Sequence, residues 1–134
     1  MDMDKFKVQD FMKTDVRTVG KGTTIYDAAK KMNDWHVSSL VIKPDFDGDA
    51  IGIITRKDII EALVSGSIDG PAYLVEHMMT KPAITVNLGL SLNNCHQMMR
   101  MVGVRRLPVV DGTALVGILS NTDIFREVVA HIDG

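Results

Sequence analysis

The sequence is poor in the features that define several classes of protein. A single cysteine, Cys95, stands among 134 residues, so no intramolecular disulfide can form and a bridge-stapled secreted scaffold is excluded. No apolar run approaches the roughly 20 residues of a membrane helix, and no signal-peptide pattern opens the chain. A cytoplasmic location without membrane insertion is the default expectation. Excess charge of one sign is also missing: 15 Lys and Arg against 17 Asp and Glu leave a formal net charge of -2. That offers no electrostatic footprint for nucleic acid.

Catalytic and metal-binding patterns are missing as well. His77, His96 and Cys95 lack the paired spacing of a zinc site, and neither a nucleophile-base motif nor a phosphate-binding glycine loop occurs. The acidic stretch Asp45-Phe46-Asp47-Gly48-Asp49 has Ala50 where a calcium loop needs glycine at its sixth position. Arg56 stands at the twelfth, where a bidentate acid belongs. The expectation is a protein that is not an enzyme and holds no metal.

What is present is a duplication. Val8 to Lys43 aligns with Val75 to Val110 at an offset of 67 residues, and Gly52 to Val64 aligns with Gly117 to Val129 at 65. Identical pairs in the first block are Val8/Val75, Met12/Met79, Thr18/Thr85, Val19/Val86, Gly22/Gly89, Met32/Met99, Val37/Val104 and Leu40/Leu107; the second block adds Gly52/Gly117 and Asp58/Asp123. Self-similarity at a fixed period marks a repeated structural unit. Each copy of roughly 60 residues would be marginal alone, so the two are expected to fold together as one domain.

Both copies carry the same element pattern. Thr18-Val19 reads as a short extended segment, followed by a helix with Ile25, Ala28, Ala29 and Met32 on one face and Thr23 or Thr24 as its cap. Ser91, Leu92, Cys95, His96 and Met99 repeat it. Leu40-Ile42 and Ala50-Ile54 read as apolar strands, matched by Leu107-Val110 and Leu115-Leu119 around an Asp111-Gly112 hairpin turn. A second helix closes each copy, with stripes Ile59, Ile60, Leu63, Val64 and Ile124, Phe125, Val128, Val129. Ser65 to Pro71 reads as the linker, and Leu74 to Met79 mirrors Val8 to Met12 as a lead-in helix.

The Met-x-x-x-x-apolar-x-Thr-Val entry and the doubled ending, Gly52-Ile53-Ile54-Thr55-Arg56-Lys57-Asp58 and Gly117-Ile118-Leu119-Ser120-Asn121-Thr122-Asp123, resemble the cystathionine-beta-synthase domain, or CBS domain. Two consecutive copies are similar to the pair called a Bateman module. The resemblance implies one such module over residues 1-134, with repeats at 8-65 and 75-131 and a linker at 66-74. It implies an α/β (α+β) fold in which each repeat is a small sheet flanked by helices, the two packed about a pseudo-twofold axis.

Members of that family bind adenosine-containing ligands in two clefts and pass the binding state to a regulated protein. By that resemblance Asp58 and Asp123 would each accept hydrogen bonds from a ribose diol, which suits a carboxylate with two acceptor oxygens. Thr55 and Ser120, at a strand-to-helix junction, would face a phosphate. Thr18, Val19, Thr85 and Val86 would line an adenine slot. Arg105 and Arg106 would lie near the phosphates, whereas repeat one has Ser38 and Ser39 there, with Ser39 as its ligand-side candidate and His36 a weaker cationic one. The implied effector is AMP, ADP or ATP, with S-adenosylmethionine or NAD(H) as further possibilities and no required cofactor. A homodimer and an unidentified regulated protein are the implied partners.

Blander readings accompany these. Thr55-x-x-Asp58 and Ser120-x-x-Asp123 are also ordinary helix N-terminal caps. The methionines at 78, 79, 98, 99 and 101, together with Trp35 and Tyr26, read as packing residues. A ligand-free structural or dimerisation module is therefore the alternative function.

Overall fold

The computed structural model describes residues 3–66 and 72–132. Local sequence signals account for most of the elements. Helix α1 spans Val8–Phe11, strand β1 Thr18–Val19, α2 Ile25–Trp35, β2 Ser39–Ile42, β3 Gly52–Thr55 and α3 Arg56–Val64. After a 3-10 turn at Val75–His77 come β4 Val86–Asn87, α4 Leu92–Val102, β5 Arg106–Asp111, β6 Ala114–Ser120 and α5 Asn121–Ile132. Thr24 caps α2 by accepting the Asp27 N–H at 3.1 Å, and Ser91 caps α4 through the Asn94 N–H at 3.1 Å. Ile25, Ala28 and Met32 are the buried face of α2, and Leu92, Cys95 and Met99 that of α4. Gly103 ends α4 in the left-handed conformation at φ 72°, while its counterpart His36 takes φ 55° without glycine's freedom.

The strands form two three-stranded sheets, ordered β1-β2-β3 and β4-β5-β6. In each the first pair is parallel and the second antiparallel. The second hairpin turns one residue later than Asp111-Gly112 predicts. Asp111 pairs with Ala114 across a register shift at Val109/Val110, leaving Gly112 and Thr113 as the central residues. Gly112 supplies the positive φ, 63°, that such a turn demands. Strand β3 likewise begins at Gly52 and not at Ala50, because the β2–β3 ladder runs from Ile42↔Gly52 to Ser39↔Thr55.

Two compact units are present, one made of the chain up to Val16 together with Ile84 onward, the other of Arg17–Ala83. These units are out of phase with the duplicated sequence. Val8 and Phe11, from the lead-in of repeat one, sit in a cluster with Val86, Leu92, Cys95, Met99, Leu107 and Leu119. Val75, from the lead-in of repeat two, sits with Val19, Ile25, Leu40, Ile54 and Ile59.

Backbone pairing holds each lead-in in its borrowed place. Val8 N–H donates to Leu90 O at 2.9 Å, and Lys13 and Ile118 exchange both N–H···O bonds at 2.9 Å. In the other unit Val75 N–H donates to Thr23 O at 2.8 Å, and Thr80 exchanges bonds with Ile53 at 2.9 and 3.0 Å. Val8 and Val75 are fully buried, and a valine so buried contributes about 1.5–3 kcal/mol. By exchanging lead-ins, each unit completes a core that its own repeat leaves short. Of the linker read from the sequence, residues 67–71 lie outside the described residues.

Candidate functional site

Sheet topology gathers the candidate residues at one end of each sheet. Because β1 and β2 are parallel while β3 is antiparallel, the beginnings of β1 and β2 and the finish of β3 share an end. Thr18 lies there on β1, and Ser39 pairs directly with Thr55. In the other unit Thr85 immediately precedes β4, and Arg106 pairs with Ser120. Each corner is closed by an equivalent backbone bond: Arg56 N–H donates to Ser38 O at 2.8 Å, and Asn121 N–H to Arg105 O at 2.9 Å. Val19, Ser39, Val86 and Asp123 are buried, Arg105 is exposed, and the remaining candidates are half-buried.

Both aspartates make the cap foreseen for them. Thr55 N–H donates to Asp58 Oδ2 at 2.9 Å while Asp58 N–H donates to Thr55 Oγ1 at 3.3 Å. Asp123 Oδ2 accepts from both Ser120 N–H, 3.1 Å, and Ser120 Oγ, 2.8 Å, while Asp123 N–H donates back to Ser120 Oγ at 3.1 Å. The caps occupy one oxygen of each carboxylate. The second oxygens differ: Asp123 Oδ1 lies 3.3 Å from Lys13 Nζ, whereas Asp58 has no cation partner among the described residues. Thr80 stands at the position aligned with Lys13.

Lys13 is the residue that sequence reasoning missed. Aligning the repeats would have shown Lys13 against Thr80, but only the exchanged lead-in places the lysine beside Asp123 and not Asp58. Arg56 and Lys57, opposite Asn121 and Thr122 in the alignment, are a second overlooked difference. The two ends carry cations at different positions, Lys13, Arg105 and Arg106 in one, Arg56 and Lys57 in the other.

A surface groove of about 580 Å³ lies between α2 and α3, lined by Met32, His36, Ser38, Arg56 and Ile59 among others. None of the predicted ligand residues lines it. His36, the weaker cationic candidate, does. The acidic loop after β2 is neutralised from within its unit: Lys21 Nζ meets Asp45 Oδ2 at 3.1 Å and Lys81 Nζ meets Asp49 Oδ2 at 2.9 Å. Hydrogen bonding from Lys81, with the Asp45 N–H adding to it, holds the Asp49 carboxyl below the ordinary carboxylate range. The bond to Asp45 raises Lys21 above the usual lysine value. Among the described residues no group of His, Cys, Asp and Glu is arranged to hold a metal ion, and no helix is long and apolar enough to cross a membrane.

The family model of the CBS domain matches residues 8–65 and 75–130. An uncharacterized protein of Methanopyrus kandleri is 32% identical over 92% of this chain, which spans 63% of that relative's length. The hexameric CBS-CP12 protein from bloom-forming cyanobacteria superposes at a TM-score of 0.85, with 30% identity over 90% of this chain and 66% of that one. A CBS domain pair of protein MJ0100, solved in complex with 5′-methylthioadenosine and S-adenosyl-L-methionine, superposes at 0.82 with 28% identity over 94% of this chain and 98% of that one.

Proposed function

The chain belongs to the CBS domain family, and we propose that it is a non-catalytic regulatory module that senses an adenosine-containing ligand. The observation that carries this reading is the repeated corner itself. At one end of each sheet a hydroxyl residue, a capping Asp and the start of β2 or β5 converge. Each carboxylate spends one oxygen on its cap, and the other is the acceptor a ribose diol would use, at Asp123 in place of Lys13. AMP, ADP or ATP suit the cations at the two ends. The MJ0100 pair, similar over nearly its whole length, supports 5′-methylthioadenosine and S-adenosylmethionine as members of the same ligand class.

Regulation requires that the ligand favour one conformation over another, because equal affinity for both shifts nothing. The regulated protein would read that conformation by contact. A homodimer is the proposed assembly, supported by the apolar side chains that the helices expose: Ile60, Leu63 and Val64 on α3, Phe125 and Val129 on α5. The hexameric cyanobacterial relative is a similar protein that assembles.

One observation favours a ligand-free structural module instead. Among the described residues every buried side-chain polar atom already has a hydrogen-bond partner. Among the described residues no buried side chain therefore needs a ligand to complete its hydrogen bonding.

Calorimetry separates the two readings. Titrations of wild type, Asp58→Ala and Asp123→Ala with AMP, ADP, ATP, S-adenosylmethionine and NADH should show binding that weakens in at least one variant. No heat from any of them with protein freed of bound ligand leaves the structural reading standing. Undiminished binding by both variants removes the ribose-anchor role.

A further inference from the structure

Asp123 is a buried carboxylate whose outward oxygen is already taken by a lysine held on a fixed pivot. Lys13 exchanges two backbone hydrogen bonds with Ile118, so its Cα is tied to β6. Its side chain, 59% exposed, reaches Asp123 Oδ1 at 3.3 Å. The ammonium is thus a largely exposed cation on a backbone position tethered to β6. Ser120 fills the other oxygen twice over. A ribose hydroxyl pair seeking this carboxylate meets Lys13 as a competitor for Oδ1. At Asp58 the aligned Thr80 keeps the same backbone exchange, with Ile53, but brings no cation.

Resting on the ligand reading above, we propose that Lys13 is a charge filter, making the Asp123 end selective for anionic, phosphorylated adenosyl ligands over neutral ones. A neutral ligand that displaces Lys13 from Asp123 strands the ammonium without an anionic partner. A phosphorylated ligand supplies a replacement anion, so the lysine exchanges a carboxylate for a phosphate as Asp123 turns to the ribose. Arg105 and Arg106 stand at the same end of the sheet, on the strand start that pairs with Ser120, and add to the attraction for a phosphate. The Asp58 end carries no such competitor and accepts neutral and anionic ligands without this penalty.

The test uses the full chain carrying Asp58→Ala, so that only the Asp123 end is read, with AMP and adenosine as the two probes. Lys13→Met keeps the aliphatic stem and the backbone pairing, and thermal unfolding of each variant verifies the fold. In calorimetry Lys13→Met should weaken AMP by about tenfold, the scale of one charge-assisted hydrogen bond. It should strengthen adenosine by about threefold, the scale of one partly exposed ion pair. Lys13→Arg should keep the wild-type order, and the preference for AMP should shrink with added salt. Equal shifts for both probes, or none, overturn the filter while leaving the ligand reading intact. So does loss of all binding in Asp58→Ala alone, since the Asp123 end is then no site. Failure of wild type to bind adenosine, AMP, ADP, ATP, S-adenosylmethionine or NADH overturns the ligand reading and the filter with it.

Discussion

The sulfur of Met12 stands 2.6 Å from the point where a Cβ on Gly117 would be, and the sulfur of Met79 stands 2.7 Å from the same point on Gly52. Both residues of each pair recur in the duplicated sequence, yet each methionine covers the glycine of the other repeat. The missing side chain is what lets the exchanged lead-in lie flat on its strand. Gly117 is the tighter of the two, because Lys13 O also lies 2.8 Å from that point and backbone cannot swing away, whereas the second neighbour of Gly52 is Ile42 Cβ at 3.2 Å.

Gly117→Ala should therefore destabilise by about 1–3 kcal/mol, the range for overpacking, and Gly52→Ala by less. Met79→Ala should relieve most of the Gly52→Ala penalty in a double-mutant cycle, while Met12→Ala relieves only part of the Gly117→Ala one. Urea midpoints of the wild type, the four single variants and the two double variants measure this. Equal penalties at the two glycines would contradict the contact geometry.

The two capping aspartates should differ in their structural worth. Asp58→Ala removes one capping box, which costs about 1 kcal/mol. Asp123→Ala also takes the partner from the half-buried Ser120 hydroxyl and from the largely exposed Lys13, for a total of about 1.5–2.5 kcal/mol. Thermal or urea unfolding measures both, and a cost at Asp123 no greater than at Asp58 would show that the Ser120 and Lys13 contacts add nothing.

Acid should weaken the Arg17–Ala83 unit through Asp49. Because Lys81 depresses its folded-state pKa, the stabilisation is present above the unfolded-state value and lost as pH falls through the folded one. Lys81→Met should flatten the fall in urea midpoint between about pH 5 and pH 2. An unchanged acid limb would show that the pair is not the source. Lys21, raised by Asp45, has the reverse sign: its contribution is lost only as pH climbs through the raised lysine value.

Cys95 should resist thiol reagents in the native protein. Burial pushes its pKa up to about 11, so almost no thiolate exists near pH 8, where an ordinary cysteine of about 8.5 has an appreciable fraction. One equivalent of label should enter only on unfolding in urea. Prompt stoichiometric labelling of native protein would mean that α4 opens readily.

Much of the architecture was legible in the sequence because it is local. Thr24 and Ser91 announce helix starts by their hydroxyls, and Ile25, Ala28 and Met32 announce a buried face by their spacing. The Gly-apolar-apolar-Thr/Ser-x-x-Asp ending foretold both strand-to-helix corners and their caps. What escaped was the long-range pairing. Aligning two repeats shows that Val8 corresponds to Val75 and Met12 to Met79, but correspondence is silent on which copy of the partner each one meets. Read inside its own repeat, Lys13 belongs beside Asp58; the exchange puts it at Asp123. The turn at Gly112 slipped by one residue for a similar reason, since the register shift at Val109/Val110 is decided by the whole ladder and not by the dipeptide.

Chain order gives the exchanged lead-ins a bearing on synthesis. Residues 17–83 are contiguous, so that unit has all its parts as soon as Ala83 has cleared the ribosome. The segment holding Val8 and Phe11 is translated before any of it, yet the cluster that receives these side chains includes Leu107 and Leu119, which are translated after all of it. Domains usually settle from the N-terminus onward during translation. Here Val8 and Phe11 leave the ribosome before the Arg17–Ala83 unit but can take their seats only after it, once Leu107 and Leu119 have been made.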